Sequence, residues 1–190
     1  YSAMVENIDR WLGIYIDGVE KRGELDNTLI IYSSDHGEML GDHDRWGKSV
    51  PYQPSIGVPL IVWGPDVARG LVTDALVSTM DLTATFLEYA HIARPDGMDS
   101  ISLRPLLGRK KRSHREYVLS GLNKWRMVFD GRFKLIQTEG KSPVLYDLSK
   151  DALENENIAD RAAEHVRRLA KCIPLQRQPA TGQSEQEPHQ

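Results

Sequence analysis

The chain has 190 residues, 40% hydrophobic and 27% charged, with a formal net charge of −3. That is enough for one compact core with an appendage, and the slight acidity argues against nucleic acid as the main partner. No apolar run approaches the ~20 residues of a membrane span, and a single cysteine rules out an internal disulfide framework while leaving the compartment unknown.

Tyr1 opens directly into a helical pattern with neither an initiator Met nor a signal peptide, so the expectation is a piece of something longer or a chain whose start was removed. Val5, Ile8, Leu12, Tyr15, Ile16 and Val19 recur at three- and four-residue steps and predict an amphipathic helix over residues 3–22. Lys21 and Arg22 complement its C-terminal dipole and Gly23 stops it. Asp26-Asn27 then turns into residues 29–32, whose unbroken apolar run suits a central parallel strand covered on both faces. Helix, short connection and strand make half of a βαβ unit that lacks its first strand, a second sign of truncation.

This strand ends in Ser33-Ser34-Asp35-His36-Gly37, and the carboxyl ends of strands in open α/β sheets are where ligands collect. Asp35 and His36 offer an oxygen and a nitrogen to a divalent cation. Taken alone, an Asp capping the turn and a satisfied imidazole are the commoner account of such a pair. Lys48, after a short polar loop, supplies a positive charge for an anion above that cation, or is a solvated loop lysine. His43 is a third ligand, a residue orienting one, or a ring stacked in the loop beside Trp46.

Residues 58–63 (VPLIVW) read as a second buried strand closed by Gly64-Pro65, and residues 75–78 as a possible third. Leu82, Phe86, Tyr89 and Ala90 share one face of a helix over 81–91, and 102–107 adds a further turn before the basic run 109–115. That run reads as a solvated interdomain loop. Four short β-leaning stretches follow, at 117–120, 126–130, 132–137 and 144–148. Asp130-Gly131 marks a hairpin between two of them, so the expectation is a small antiparallel sheet. Asp160 is placed to cap a last helix carrying Ala163, Val166, Leu169 and Ala170. From Pro174 the chain is rich in Gln, Pro and Glu and reads as a disordered tail. Cys172 sits at a helix C-terminus, where the dipole raises a thiol pKa, so it is read as incidental.

The segment DNTLIIYSSDHGEMLGDHDRWGK, followed by VPLIVWGP, resembles the C-terminal half of a sulfatase of the alkaline phosphatase superfamily. STMDLTATFLEYAHI, DGMDSISLRPLL, WRMVFDGRFKLI and LYDLSKDALENENIA match further family segments in the same order, so the resemblance covers roughly residues 1–172. It implies an α/β fold: the C-terminal part of an alkaline-phosphatase-like sheet-and-helix core over residues 1–115, then an antiparallel β annex with a C-terminal helix over 116–173. It also implies that Asp35 and His36 ligate a divalent metal, most often calcium, and that Lys48 contacts sulfate oxygens, with His43 beside the substrate. The implied reaction is hydrolysis of a small-molecule or glycan sulfate ester by a formylglycine nucleophile made from Cys or Ser in a C-x-P-S-R-like motif.

The chain departs from that pattern. It holds no C-x-P-S-R segment and no upstream acidic strand end, so by itself it is expected to be inactive and to bind calcium weakly. Gln176 stands where the segment beginning at Cys172 would need Arg. Gly57 replaces an Arg often found before Val-Pro, Gln53 an acidic residue after Tyr, and Thr83-Ala84-Thr85 lacks a Pro before Thr. Two rivals remain: a phosphonate monoester or phosphodiester hydrolase of the same superfamily, with manganese or zinc, and a non-catalytic module retaining the fold. The sequence leaves the oligomeric state undetermined.

Overall fold

A computed structural model of the chain describes residues 1–174; the Gln- and Pro-rich tail beyond lies outside the described residues. Helix α1 (Ser2–Lys21) follows the amphipathic pattern and ends where Gly23 takes a positive φ of 68° and donates its N–H to Glu20, the usual glycine stop. None of its residues is buried, and Val5, Ile8, Trp11 and Ile14 remain about half exposed.

Strand β1 (Ile30–Ser33) pairs with β2 (Leu60–Trp63) in register Ile30↔Trp63 to Ser33↔Leu60. The pairing is antiparallel, not the parallel arrangement its apolar run suggested. Residues 34–59 turn back at the end of β1, so the chain re-enters the sheet in the opposite direction. Every residue of β1 is half-buried rather than enclosed on two faces, and β2 alternates, with Ile61 and Trp63 outward. Residues 75–78, expected as a strand, pair with no strand among the described residues.

Three helices follow in the chain, α2 (Gln53–Ile56) between the two strands and α3 (Asp81–Tyr89) and α4 (Arg104–Leu107) after them. The start of α3 is fixed by Asp81, which is fully buried. Its carboxylate accepts from the backbone N–H groups of Ser78 (3.0 Å) and Ile101 (2.9 Å) and from Arg115, and it also faces the His114 ring. Burial pulls its pKa upward, but the bonds from Arg115 and the two amides outweigh that and hold it below the usual carboxylate range. Such a group contributes stability above its unfolded pKa and loses that contribution as pH falls through its folded value. Thermal melts should therefore drop on acidification below about pH 4. Asp81→Asn should lower neutral-pH stability by about 1–3 kcal/mol and flatten that drop. An unchanged acid profile would count against the assignment.

The second half is a four-stranded antiparallel meander in the order β3 (Val118–Leu122), β4 (Trp125–Phe129), β5 (Phe133–Thr138), β6 (Val144–Asp147). The β4–β5 turn falls on Gly131-Arg132, one step later than read, because Asp130 N–H pairs with Phe133 C=O. The Asp130 carboxylate caps that turn by accepting from Arg132 and Phe133, and Gly131 provides the positive φ. One sheet face packs Val128, Leu135 and Leu145 against Leu169 of α5 (Ala163–Ala170). The other packs Met127, Ile136 and Tyr146 against Tyr52 and Ile56. The expected cap of α5 is not Asp160, which lies in a preceding 3-10 turn; Ala162 takes the N-cap position and makes no side-chain cap bond. No helix among the described residues is long and apolar enough to cross a membrane.

Candidate functional site

The backbone after β1 folds tightly on itself. Ser34 Oγ donates to the carbonyl of His36 (2.8 Å), and His36 N–H donates to the Asp35 carboxylate (3.0 Å). Gly37 N–H donates to Ser55 C=O at 2.8 Å. A Cβ on Gly37 would lie 1.9 Å from the Pro54 carbonyl oxygen, so glycine is required here by contact with α2.

Lys48 lies twelve positions after His36, and backbone closure brings the two together. Met39 N–H bonds Gly47 C=O and Gly41 N–H bonds Arg45 C=O, while Glu38 accepts from Gly47 N–H at 2.5 Å. The Met39 side chain, 1% exposed, anchors the loop. Leu40, His43, Asp44 and Ser49 all hold positive φ angles in or beside this loop, conformations that persist only where surrounding contacts over-determine them.

Three groups converge as a result. His36 Nδ1 lies 2.7 Å from the Gly37 carbonyl. A carbonyl only accepts, so Nδ1 carries the proton and Nε2 keeps a lone pair. The Lys48 ammonium donates to that lone pair at 2.5 Å, and an Asp35 carboxylate oxygen lies 3.5 Å from the same nitrogen. Burial pulls the Asp35 carboxyl upward. The bond from the His36 N–H and the nearby Lys48 charge act against this, and the carboxyl is held below the usual range.

A lone pair and a carboxylate already facing a positive charge fit part of a divalent-cation site. Among the described residues no third His, Cys, Asp or Glu joins them. Two donors do not by themselves complete such a site.

Asp35, His36 and Lys48 border a cleft of about 530 Å³, which Ser120, Leu122 and Trp125 of the β3–β4 hairpin also line. His43 lies outside this group. It stacks on Tyr52 (centroids 4.0 Å apart, 17° between planes) and borders a neighbouring hollow with Asp42 and Asn155. Gln53, Gly57 and Val58 line both hollows.

Sequence reasoning missed Glu38 and Trp125. An acid directly after Gly37, with Gly41 and Gly47 following, is a readable sign of a closed loop. Trp125 carries no local sign, because its partner lies 76 residues away.

Comparison with known proteins gives a consistent result. The family model described as Sulfatase matches residues 1–92. Human arylsulfatase K is 34% identical over 180 residues, a match covering 86% of this chain and 34% of that protein. BT4656, solved in complex with its substrate D-glucosamine-2-N,6-O-disulfate, superposes with TM-score 0.83 at 28% identity, over 90% of this chain and 38% of that one. A phosphonate monoester hydrolase of Silicibacter pomeroyi gives TM-score 0.76 at 30% identity, over 87% and 37%. The chain spans about a third of the length of the curated relatives it matches. In sequence and in its alkaline-phosphatase-like α/β fold, the chain is sulfatase-like and corresponds to the C-terminal portion of proteins of that family.

Proposed function

We propose that this chain is the part of a sulfate monoester hydrolase that supplies Asp35 and His36 to a divalent metal and Lys48 to the substrate's sulfuryl oxygens. The observation that carries this reading is the meeting of His36 Nε2, the Asp35 carboxylate and the Lys48 ammonium at one rim of the cleft. When bound, the metal, calcium in the sulfatase reading, supplies Lewis-acid charge against an ester oxygen. The Gly37 carbonyl keeps His36 in the tautomer able to hold that ion. Lys48 offers a point charge to oxygens that gain negative charge as the S–O bond breaks. The nucleophile, a formylglycine in this reading, comes from outside these 190 residues, which contain no C-x-P-S-R segment.

The substrate class is a sulfated small molecule or glycan, in keeping with the sulfated glucosamine of BT4656. His43 enters only through a substrate long enough to cross Gln53 and Gly57 into the neighbouring hollow. Residues 1–115 and 116–173 are read as core and subdomain.

The likeness to a phosphonate monoester hydrolase favours a second reading, in which the same groups act on phosphorus with manganese or zinc. Steady-state rates of the whole protein on an aryl sulfate, a phenyl phosphonate and a phosphodiester separate the two. Higher kcat/KM on the sulfate is expected. A large preference for phosphorus would sink the sulfatase assignment, and turnover of none of them would leave a non-catalytic module.

A further inference from the structure

Lys48 is the first residue after the closed loop, and its neighbours on both sides are tethered. Gly47 is held by Met39 and Glu38. On the far side, the Ser49 carbonyl accepts a 3.0 Å hydrogen bond from the indole Nε1–H of Trp125. Ser49 has φ of +76°, so its peptide lies in no regular element and depends on such tertiary contacts for its orientation. Trp125 opens β4 and pairs with Leu122 on one side and Thr138 on the other, which places it on an inner strand of the meander rather than on a free edge. Four residues further on, Gln53 N–H donates to the Glu154 carboxylate at 2.6 Å, and Tyr52 and Ile56 pack on the same sheet face. The segment that follows the lysine is therefore fastened to the annex at both ends.

We infer that Trp125 is a positioning residue for Lys48: through a single indole-to-carbonyl bond, the antiparallel sheet sets where the lysine stands at the cleft rim. The inference rests on the reading of Lys48 as the group that meets the substrate's anionic oxygens. It gives the annex a part in the chemistry although Trp125 itself need not touch the reacting atoms. Trp125 also lines the cleft that Asp35, His36 and Lys48 border.

The test is Trp125→Phe in the whole protein, which keeps an aromatic ring at the position and removes the indole donor together with part of the ring's bulk. Hydrogen exchange of the backbone amides of Lys48, Ser49 and Val50 should quicken roughly five- to tenfold, the equivalent of one hydrogen bond, at a nearly unchanged melting temperature. In the unmutated protein, the Trp125 indole proton should exchange more slowly than that of Trp46, which is 78% exposed. On a sulfate ester, kcat should fall about tenfold with KM within about twofold. The same substitution in a Lys48→Ala background should bring no further loss.

Equal losses in both backgrounds would make Trp125 a general packing residue and overturn the inference. Unchanged exchange at residues 48–50, or an indole proton as labile as that of Trp46, would do the same. A whole protein that turns over neither sulfate nor phosphonate esters sinks the reading of the site, and the exchange measurements then decide the tether independently.

Discussion

Lys48→Ala in the whole protein lowers turnover of a sulfate ester roughly 10²-fold, the loss typical of removing one donor aimed at a developing oxyanion. That corresponds to about 2.7 kcal/mol of transition-state stabilisation. The expectation follows from where the ammonium sits. It stands 2.5 Å from His36 Nε2 at the rim of the cleft, as a compact charge on a flexible stem rather than a planar fork. Charge on the ester oxygens grows toward the transition state, so the loss should fall mainly on kcat and less on KM. The fold should be untouched, because the loop closes through Met39, Glu38 and Gly47 and uses no atom of the Lys48 side chain. Matching melting temperatures check this. Turnover equal to that of the unmutated protein would remove Lys48 from the site.

Features that repeat at a fixed local period were readable from the sequence. The apolar stripe of α1, the glycine stop at Gly23 and the four strands of the meander lie within a residue or two of where their patterns place them. The strand end at Ser33 also stands where an apolar run meeting Ser-Ser-Asp-His-Gly suggests. What could not be read depends on single contacts between distant residues. Residues 29–32 look the same whether the neighbouring strand runs parallel or antiparallel, because direction is set by how residues 34–59 return. Nothing local says that the eleven residues between them close so that Lys48 meets His36. Asp81 reads as an ordinary acid opening a helix. Only the folded chain brings Arg115 to it across 34 positions.

The sheet's two faces take this further. One face carries α5, and the cross-strand partners Val128 and Leu135 both turn to it. The other receives residues 52–56, which belong to the segment that follows Lys48. The annex is thus a floor for the cleft as well as a wall, and disturbing its buried face should reach the site.

Lys134→Met puts that to the test and should destabilise the protein by about 3–5 kcal/mol, as expected when one member of a buried ion pair is removed. Lys134 lies on β5 two residues before Ile136, so alternation turns it to the same face, toward residues 52–56. Its side chain is 0% exposed and that of Glu154 1%, with the ammonium 2.5 Å from the carboxylate. Burial pulls the Lys134 pKa down, while the adjacent Glu154 charge pulls it back up. Take away the lysine and Glu154 is left as a desolvated charge whose remaining partner is the Gln53 N–H. Adding Glu154→Gln removes that charge and keeps an oxygen for Gln53, so the double variant should recover part of the loss. Urea midpoints with unchanged m values measure each step, and the cycle isolates the pair. A single-variant loss below about 0.5 kcal/mol would place the lysine in the ordinary range of surface substitutions. The reverse outcome, a large loss with partial recovery, would also loosen Gln53 and, through residues 49–53, the backbone that carries Lys48.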